Sequence, residues 1–298
     1  MRALVTGATG FVGGRLARNL AGEHEVRCLV RDRERAGGLE AIGCELRQGD
    51  VLEPRTLAGL GEGIDIAYYL VHSMGRGTAG DFARRERVAA ANFAKAMHDD
   101  GVRRVVYLGG LGDRPDSEHL RSRHETAQTL ARDGPPLTYF RAAMIVGAAS
   151  ESYRTLRALV ERLPVMIAPA WLRTQTQPVA ADDVVEFLAA AARTEEATGR
   201  EIQLGGPDVL SYGAMLDRMA VALGKRPRPR VPVPLLSPSL SSLWIGLVTP
   251  VDAAIAKPLI EGLSTETVVT DSSGMELFDI EPIGFDQALT RALAEDEA

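Results

Sequence analysis

Cysteine, aromatic residues and long apolar runs are scarce in this chain of 298 residues, and each scarcity excludes something. Two cysteines, Cys28 and Cys44, cannot build a disulfide framework. Both fall in apparent strands and read as reduced core thiols of a cytoplasmic protein. The five histidines show no metal-ligand clustering. His119 and His124 are too far apart to share a helix face, so no metal site is expected. There is no block of Lys or Arg; Arg226, Arg228 and Arg230 alternate with prolines and read as a rigid loop. A net charge of −6 argues against nucleic acid as the main partner. Leu235 to Val251 contains no acidic or basic residue, but its four serines and two prolines leave it short of the ~20 apolar residues of a spanning helix. It reads as a buried or pocket-lining helix, or as a docking surface for a lipid or a partner. The chain enters a strand at once, so no signal peptide is expected.

With aromatics at 5%, the core must come from aliphatic residues, and 45% apolar content is enough for one. Abundant Ala and Gly suit close packing of helices on a sheet. The glycines inform most at the start. Ala3 to Val5 runs directly into Gly7, Gly10 and Gly13, and then into the apolar-periodic segment Phe11 to Leu20. This is a strand, a tight turn and a helix. Glycines there let the backbone turn sharply, let a pyrophosphate approach the main chain and let the helix pack close to the strand. The helix start offers N–H groups and a positive dipole end to phosphates. The pattern predicts a dinucleotide site.

Strands and helices then alternate. Strands are expected at 2–6, 25–30, 44–48, 65–70, 103–108 and 137–141, with helices near 11–21, 33–42, 53–60, 81–99 and 118–132. The strands are continuous apolar runs, the mark of a parallel sheet covered on both faces. Right-handed crossovers make this a doubly wound, Rossmann-type α/β fold. After residue 148 the rhythm changes. Helices are expected at 151–162, 182–193 and 211–223, the last ending at Gly224, a C-terminal cap. A strand is expected at 201–204, before the turn Gly205 to Pro207. An apolar patch spans Leu163 to Leu172. A Pro-rich connection at 227–238, two apolar helices and a final helix from Asp286 close the chain. Residues 1–148 read as the dinucleotide-binding core, with 176–207 returning to it. Residues 149–298 read as a smaller, mostly helical substrate lobe, interleaved with the core. No internal repeat is visible.

The ordered series of landmarks resembles the atypical and extended branch of the short-chain dehydrogenase/reductase superfamily, which includes NmrA-like and epimerase-like proteins. Within it the chain looks similar to bacterial NAD(P)-binding proteins of the YbjT type. The resemblance is carried by Thr6-Gly7-Ala8-Thr9-Gly10-Phe11-Val12-Gly13, Gly49-Asp50-Val51, Tyr69 to Ser73, Ala90 to Phe93, Arg141 to Gly147, Pro178 to Val184 and Leu204 to Pro207. It implies that Asp50 bonds the adenine edge and Val51 packs on it. It implies that His72 and Ser73 line the adenosine and ribose side. Residues 141 to 145, among them Ala142, Ala143, Met144 and Ile145, would lie beside the nicotinamide. Asp50 also reads as a simple turn residue, and His72 as a satisfied strand end.

The second strand ends Arg31-Asp32-Arg33. An acidic residue at such a tip takes the ribose 2′-hydroxyl of NAD, and arginine accommodates the 2′-phosphate of NADP. Guanidinium groups pair well with phosphate oxygens, so Arg31 and Arg33 favour NADP(H). Asp32 keeps NAD(H) open, or caps the following helix. The resemblance fails where it bears on catalysis. The superfamily's enzymes carry Ser or Thr after the fifth strand and Tyr-x-x-x-Lys on the next helix. Here the strand ends Gly109-Gly110, and His119 and Arg123 fall at the tyrosine and lysine positions, on one helix face. His119 is thus a candidate proton donor and Arg123 a candidate cofactor contact.

A cofactor that carries the hydride does not require that tyrosine. The leading expectation is an NADP(H)-dependent oxidoreductase acting on a small apolar activated acceptor, such as a quinone, enone or imine. Met144, Met166, Trp171, Trp244 and Leu247 are candidates for an apolar pocket. The competing expectation is a non-catalytic NAD(P)-binding redox sensor or scaffold. A sugar-nucleotide epimerase or dehydratase is a third, weaker for want of the tyrosine and of a diphosphate anchor. The sequence does not specify the oligomeric state.

Overall fold

A computed structural model describes residues 1–71, 79–112, 118–232 and 263–297. The first half of the chain runs β1 (Arg2–Thr6), α1 (Phe11–Ala21), β2 (Glu25–Val30), α2 (Gly37–Glu40), β3 (Glu45–Gln48), β4 (Ile66–Tyr69), α3 (Ala79–Asp99), β5 (Arg104–Gly110), α4 (Glu118–Asp133) and β6 (Leu137–Ala142). Then come β7 (Ile145–Val146), α5 (Glu151–Arg162), β8 (Met166–Ala168), β9 (Gln175–Thr176), β10 (Val179–Ala180), α6 (Ala181–Ala190), β11 (Glu201–Leu204), β12 (Leu210–Ser211), α7 (Tyr212–Ala222), β13 (Arg230–Pro232) and α8 (Phe285–Asp296).

Seven strands form one parallel sheet in the order β3-β2-β1-β4-β5-β6-β11. The order reverses between β1 and β4, the switch point of a doubly wound fold. The continuous apolar strands are explained by two cores, one on each face. Ala3 and Val5 of β1 enter the core under α1 and α6, whereas Leu4 between them enters the core under α3 and α4. Val26, Cys28 and Val30 face the first core, and Leu29 the second, so the strand period of two sorts every residue. Cys28 and Cys44 are both buried free thiols of the first core. A third core joins α5, α7 and α8 around Tyr153, Trp171, Met215 and Leu289.

The predicted helix over 53–60 is only a 3₁₀ turn, Pro54–Leu57. Gly59 adopts φ +66 there, and the Thr56 hydroxyl bonds the carbonyls of Asp50 and Glu53 instead of letting a helix extend. The predicted helix over 33–42 divides into a 3₁₀ turn, Glu34–Ala36, and the short α2, with the break at Ala36, whose backbone leaves the helical region; Gly37 and Gly38 open α2 and weaken it. The apolar patch 163–172 folds as β8 and a 3₁₀ turn, Ala170–Arg173. The expected apolar helices after 238, with Leu235 to Val251, lie outside the described residues.

Candidate functional site

The turn after β1 gives its glycines three separate jobs. Gly7 has φ +69, and a Cβ there would lie 2.3 Å from the Leu70 carbonyl oxygen. A Cβ on Gly13 would lie 2.3 Å from the Gly7 carbonyl oxygen, so Gly13 lets α1 pack onto the turn. A Cβ on Gly10 would meet only that carbonyl oxygen, at 3.1 Å, and would otherwise point into open space. Gly10 is also the N-cap of α1 and brings no side-chain cap. The N–H groups of Phe11, Val12 and Gly13 are therefore presented at a bare helix start.

Beside this turn lies a cleft of about 340 Å³, lined by Gly7, Thr9, Gly10, Arg31, Asp32, Asp50, Val51 and residues around them. The predicted residues divide as follows. Thr6 is buried, and its hydroxyl links the Tyr68 carbonyl to the Leu70 N–H, at 3.0 and 3.2 Å; it fastens β1 to β4 and faces no cleft. The Phe11 ring packs onto Gly147, whose Cβ would lie 2.7 Å from Phe11 Cζ, and under the Arg15 guanidinium. Asp50 turns one oxygen to the Leu52 N–H at 2.9 Å, and the Val51 carbonyl accepts from Asn92 of α3 at 2.9 Å. His72 and Ser73 lie outside the described residues.

Of the two arginines at the tip of β2, Arg31 lines the cleft. Arg33 turns to an ion pair with Glu40 at 2.9 Å, away from the cleft wall. Asp32 lines the cleft, and its Oδ1 accepts from the Glu34 N–H at 3.0 Å, an Asx turn ahead of the 3₁₀ turn, whose own N-cap is Arg33. Two cleft arginines were missed by the sequence reading: Arg35, and Arg85 of α3. For Arg85 the signal was available. It stands seven residues before Asn92 and four before Ala89, on one helical stripe, and Ala89 lines the same cleft.

Ala142 and Ala143 are buried at the end of β6, while Met144 and Ile145 are half-buried on the way into β7. The Met144 carbonyl accepts from the Val179 N–H, and the Ala143 N–H donates to the Leu204 carbonyl, so β10 and β11 hold this corner. His119 belongs to the first turn of α4, with its side chain outside the description. Arg123, one turn on, lies 3.4 Å from the Tyr107 hydroxyl and does not line the cleft. Burial opposes its charge, but Tyr107 and the buried carboxylate of Glu86 outweigh that and hold its pKa above arginine's ordinary value. Burial raises the Tyr107 hydroxyl in turn. Gly109 and Gly110 are the last two residues of β5, and side chains from β6 and α4 crowd both. A Cβ on Gly109 would lie 2.7 Å from the Tyr139 ring, and one on Gly110 would lie 2.8 Å from Leu120.

The switch-point cleft, glycine turn and bare helix start define a dinucleotide-binding α/β protein. Residues 7–157 match the family described as NAD(P)H-binding, and the chain belongs to that family, within the atypical short-chain dehydrogenase/reductases. The (4-alkanoyl-5-oxo-2,5-dihydrofuran-3-yl)methyl phosphate reductase of Streptomyces griseus is 29% identical over 231 residues, 74% of each chain. The ceramide reductase of Caulobacter vibrioides is 26% identical over 82% of this chain and 78% of its own. In fold the chain is similar to an NADPH-dependent quinone oxidoreductase of Escherichia coli solved with NADPH, with TM-score 0.78, 20% identity and coverage of 98% and 100%. Among the described residues no helix is long and apolar enough to cross a membrane.

Proposed function

We propose that this chain is a cytoplasmic NADP(H)-dependent reductase whose hydride acceptor is a small, apolar, activated molecule: a quinone, an enone or an imine. The observation that carries the NADP(H) choice is the charge around the adenosine end of the cleft. Arg31, Arg35 and Arg85 all line it, and among the described residues none of the three is held in an ion pair, while one oxygen of Asp32 is occupied by backbone. Three guanidinium groups suit a 2′-phosphate better than a free hydroxyl. Bound, the dinucleotide would supply the hydride. The residues here would hold it: Gly7, Thr9 and Gly10 at the pyrophosphate with the N–H groups of residues 11–13, Asp50 and Val51 at the adenine, and Ala142 to Ile145 at the nicotinamide end. Arg33 now ranks behind Arg35 as a phosphate contact. His119 is the candidate proton donor by its place at the start of α4, and Arg123 would have to leave Tyr107 to reach the cofactor ribose.

Support for an activated acceptor comes from the relatives. The Streptomyces enzyme is named as the reductase of a (4-alkanoyl-5-oxo-2,5-dihydrofuran-3-yl)methyl phosphate, a conjugated ring that also carries a phosphate, and the Escherichia coli protein as a quinone oxidoreductase. With no Ser or Thr at the end of β5 and His119 in place of the helix tyrosine, an acceptor that takes hydride readily suits the site. The domain reading follows: the sheet with β11 as dinucleotide core, and the elements around the third core as substrate lobe. A second reading, a non-catalytic sensor or scaffold, is favoured by one observation, the turning of Arg123 toward Tyr107 and not into the cleft. The deciding experiment is NADPH consumption by purified protein against quinones, enones, imines and azo dyes, with NADH in parallel. Turnover with NADPH ahead of NADH is expected. Silence from protein that demonstrably binds NADPH would overturn the reductase reading in favour of the sensor.

A further inference from the structure

Three buried polar side-chain atoms lack a hydrogen-bond partner among the described residues: Thr126 Oγ1, Trp171 Nε1 and Thr265 Oγ1. Thr126 stands on α4 near the Tyr107 hydroxyl, and Trp171 meets Tyr212 edge-on inside the third core. Thr265 is placed differently. Its Cγ2 is 3.5 Å from where a Cβ on Gly112 would stand, and Leu120 Cδ1 is 3.0 Å from the same point. Gly112 follows the end of β5, its carbonyl accepts from Arg141 Nη2 of β6 at 2.7 Å, and Leu120 is in the first turn of α4. Thr265 thus sits over the carboxyl ends of β5 and β6, where open parallel sheets bind their ligands.

The segment carrying it is fastened. Thr267 Oγ1 donates to Thr176 Oγ1 at 2.7 Å, and the Thr267 N–H donates to the Gln175 carbonyl at 3.1 Å. Further on, the Val269 N–H donates to Gln177 Oε1 and the Thr270 N–H to Gln203 Oε1, at 2.9 and 2.8 Å. These bonds hold the backbone that follows Thr265 against β9 and β11. A hydroxyl held buried and unpaired is costly in a folded chain. The strand end offers no side-chain donor of its own, since it reads Gly109, Gly110, Leu111, Gly112.

We propose that the Thr265 hydroxyl is a polar anchor of the acceptor site, donating a hydrogen bond to the carbonyl oxygen, or the equivalent heteroatom, of the activated acceptor. This rests on the reductase reading. The hydroxyl selects acceptors that carry a hydrogen-bonding heteroatom in conjugation with the reducible bond, and its methyl keeps the place closed against Gly112 and Leu120. The experiment compares wild type, Thr265→Val and Thr265→Ser in NADPH-dependent reduction of menadione, 2-cyclohexenone and methyl red, with NADPH affinity measured separately. Valine preserves shape and removes the donor; alanine replaces it if the valine variant fails to fold. For the best acceptor, a fall of about tenfold in kcat/KM is expected. NADPH affinity should stay within about twofold, and serine should restore most of the loss. Full activity in a valine or alanine variant, or failure of serine to restore it, would overturn the assignment while leaving the reductase intact. A wild type that binds NADPH and reduces none of the three would overturn both.

Discussion

At the residue scale, the cleft arginines make the most direct prediction. Arg31 and Arg35 both line the adenosine end, and neither belongs to the hydrophobic cores. Arg31→Ala should weaken NADPH binding about tenfold or more while changing NADH binding about twofold at most, because only the 2′-phosphate offers the guanidinium a charged partner. Equal losses for both nucleotides, measured by fluorescence titration, would remove Arg31 from that role. Arg33→Ala should leave the NADPH/NADH ratio unchanged, since its partner is Glu40. Here the sequence was partly legible. The strand tip announced positive charge, but which of Arg31, Arg33 and Arg35 faces the cleft depends on the 3₁₀ turn at 34–36 and on the break at Ala36 that separates it from α2, where the pattern suggested one helix.

At the element scale, α8 is held by two carboxylates from distant parts of the chain. Its N-cap is Gly284, with no side chain to offer. Asp208 supplies the cap from outside, accepting from the Phe285 N–H at 2.8 Å, and Asp183 accepts from the Ile283 N–H at 2.9 Å. The helix then buries Phe285, Ala288, Leu289 and Ala292 in the third core. Asp208→Ala should cost about 1 kcal/mol, the usual worth of a helix cap. The loss should appear in urea unfolding as a lower midpoint at unchanged slope. A neutral result would mean that water replaces the carboxylate. The sequence placed the helix start within a residue, from its periodicity. It gave no hint of the capping partner, which stands 77 positions away.

At the scale of the whole molecule, Asp183 couples folding to pH. It is 4% exposed, and burial raises its carboxyl to about 6, against the pull of the Ile283 N–H and Arg291. A carboxyl raised in the folded state works against folding when ionised. As pH falls through about 6 the folded chain takes up a proton that the unfolded chain still lacks, so this contribution favours folding increasingly down to about pH 4. Below that both states are protonated and the contribution is constant. Asp183→Asn should therefore be more stable than wild type at pH 7, by up to about 3 kcal/mol. The gap should shrink by pH 5, as read from denaturant midpoints across that range. A gap independent of pH would show that the carboxyl titrates normally.

The sequence by itself determined the architecture: seven short apolar strands alternating with helices leave a covered parallel sheet as the fold, and the three early glycines fix where a dinucleotide meets it. Those are local properties, set by strand and helix periods and by the room a missing Cβ leaves, so they can be read along the chain. The tertiary structure alone decided what depends on approach from afar. It placed Arg85 of α3 at the cleft, turned Arg123 to Tyr107, filled the space over Gly109 and Gly110 with Tyr139 and Leu120, and brought Thr265 to the end of β5. Each of these is a contact between elements, whose partner and distance are set by how helices and strands pack against one another and not by the order of residues within either.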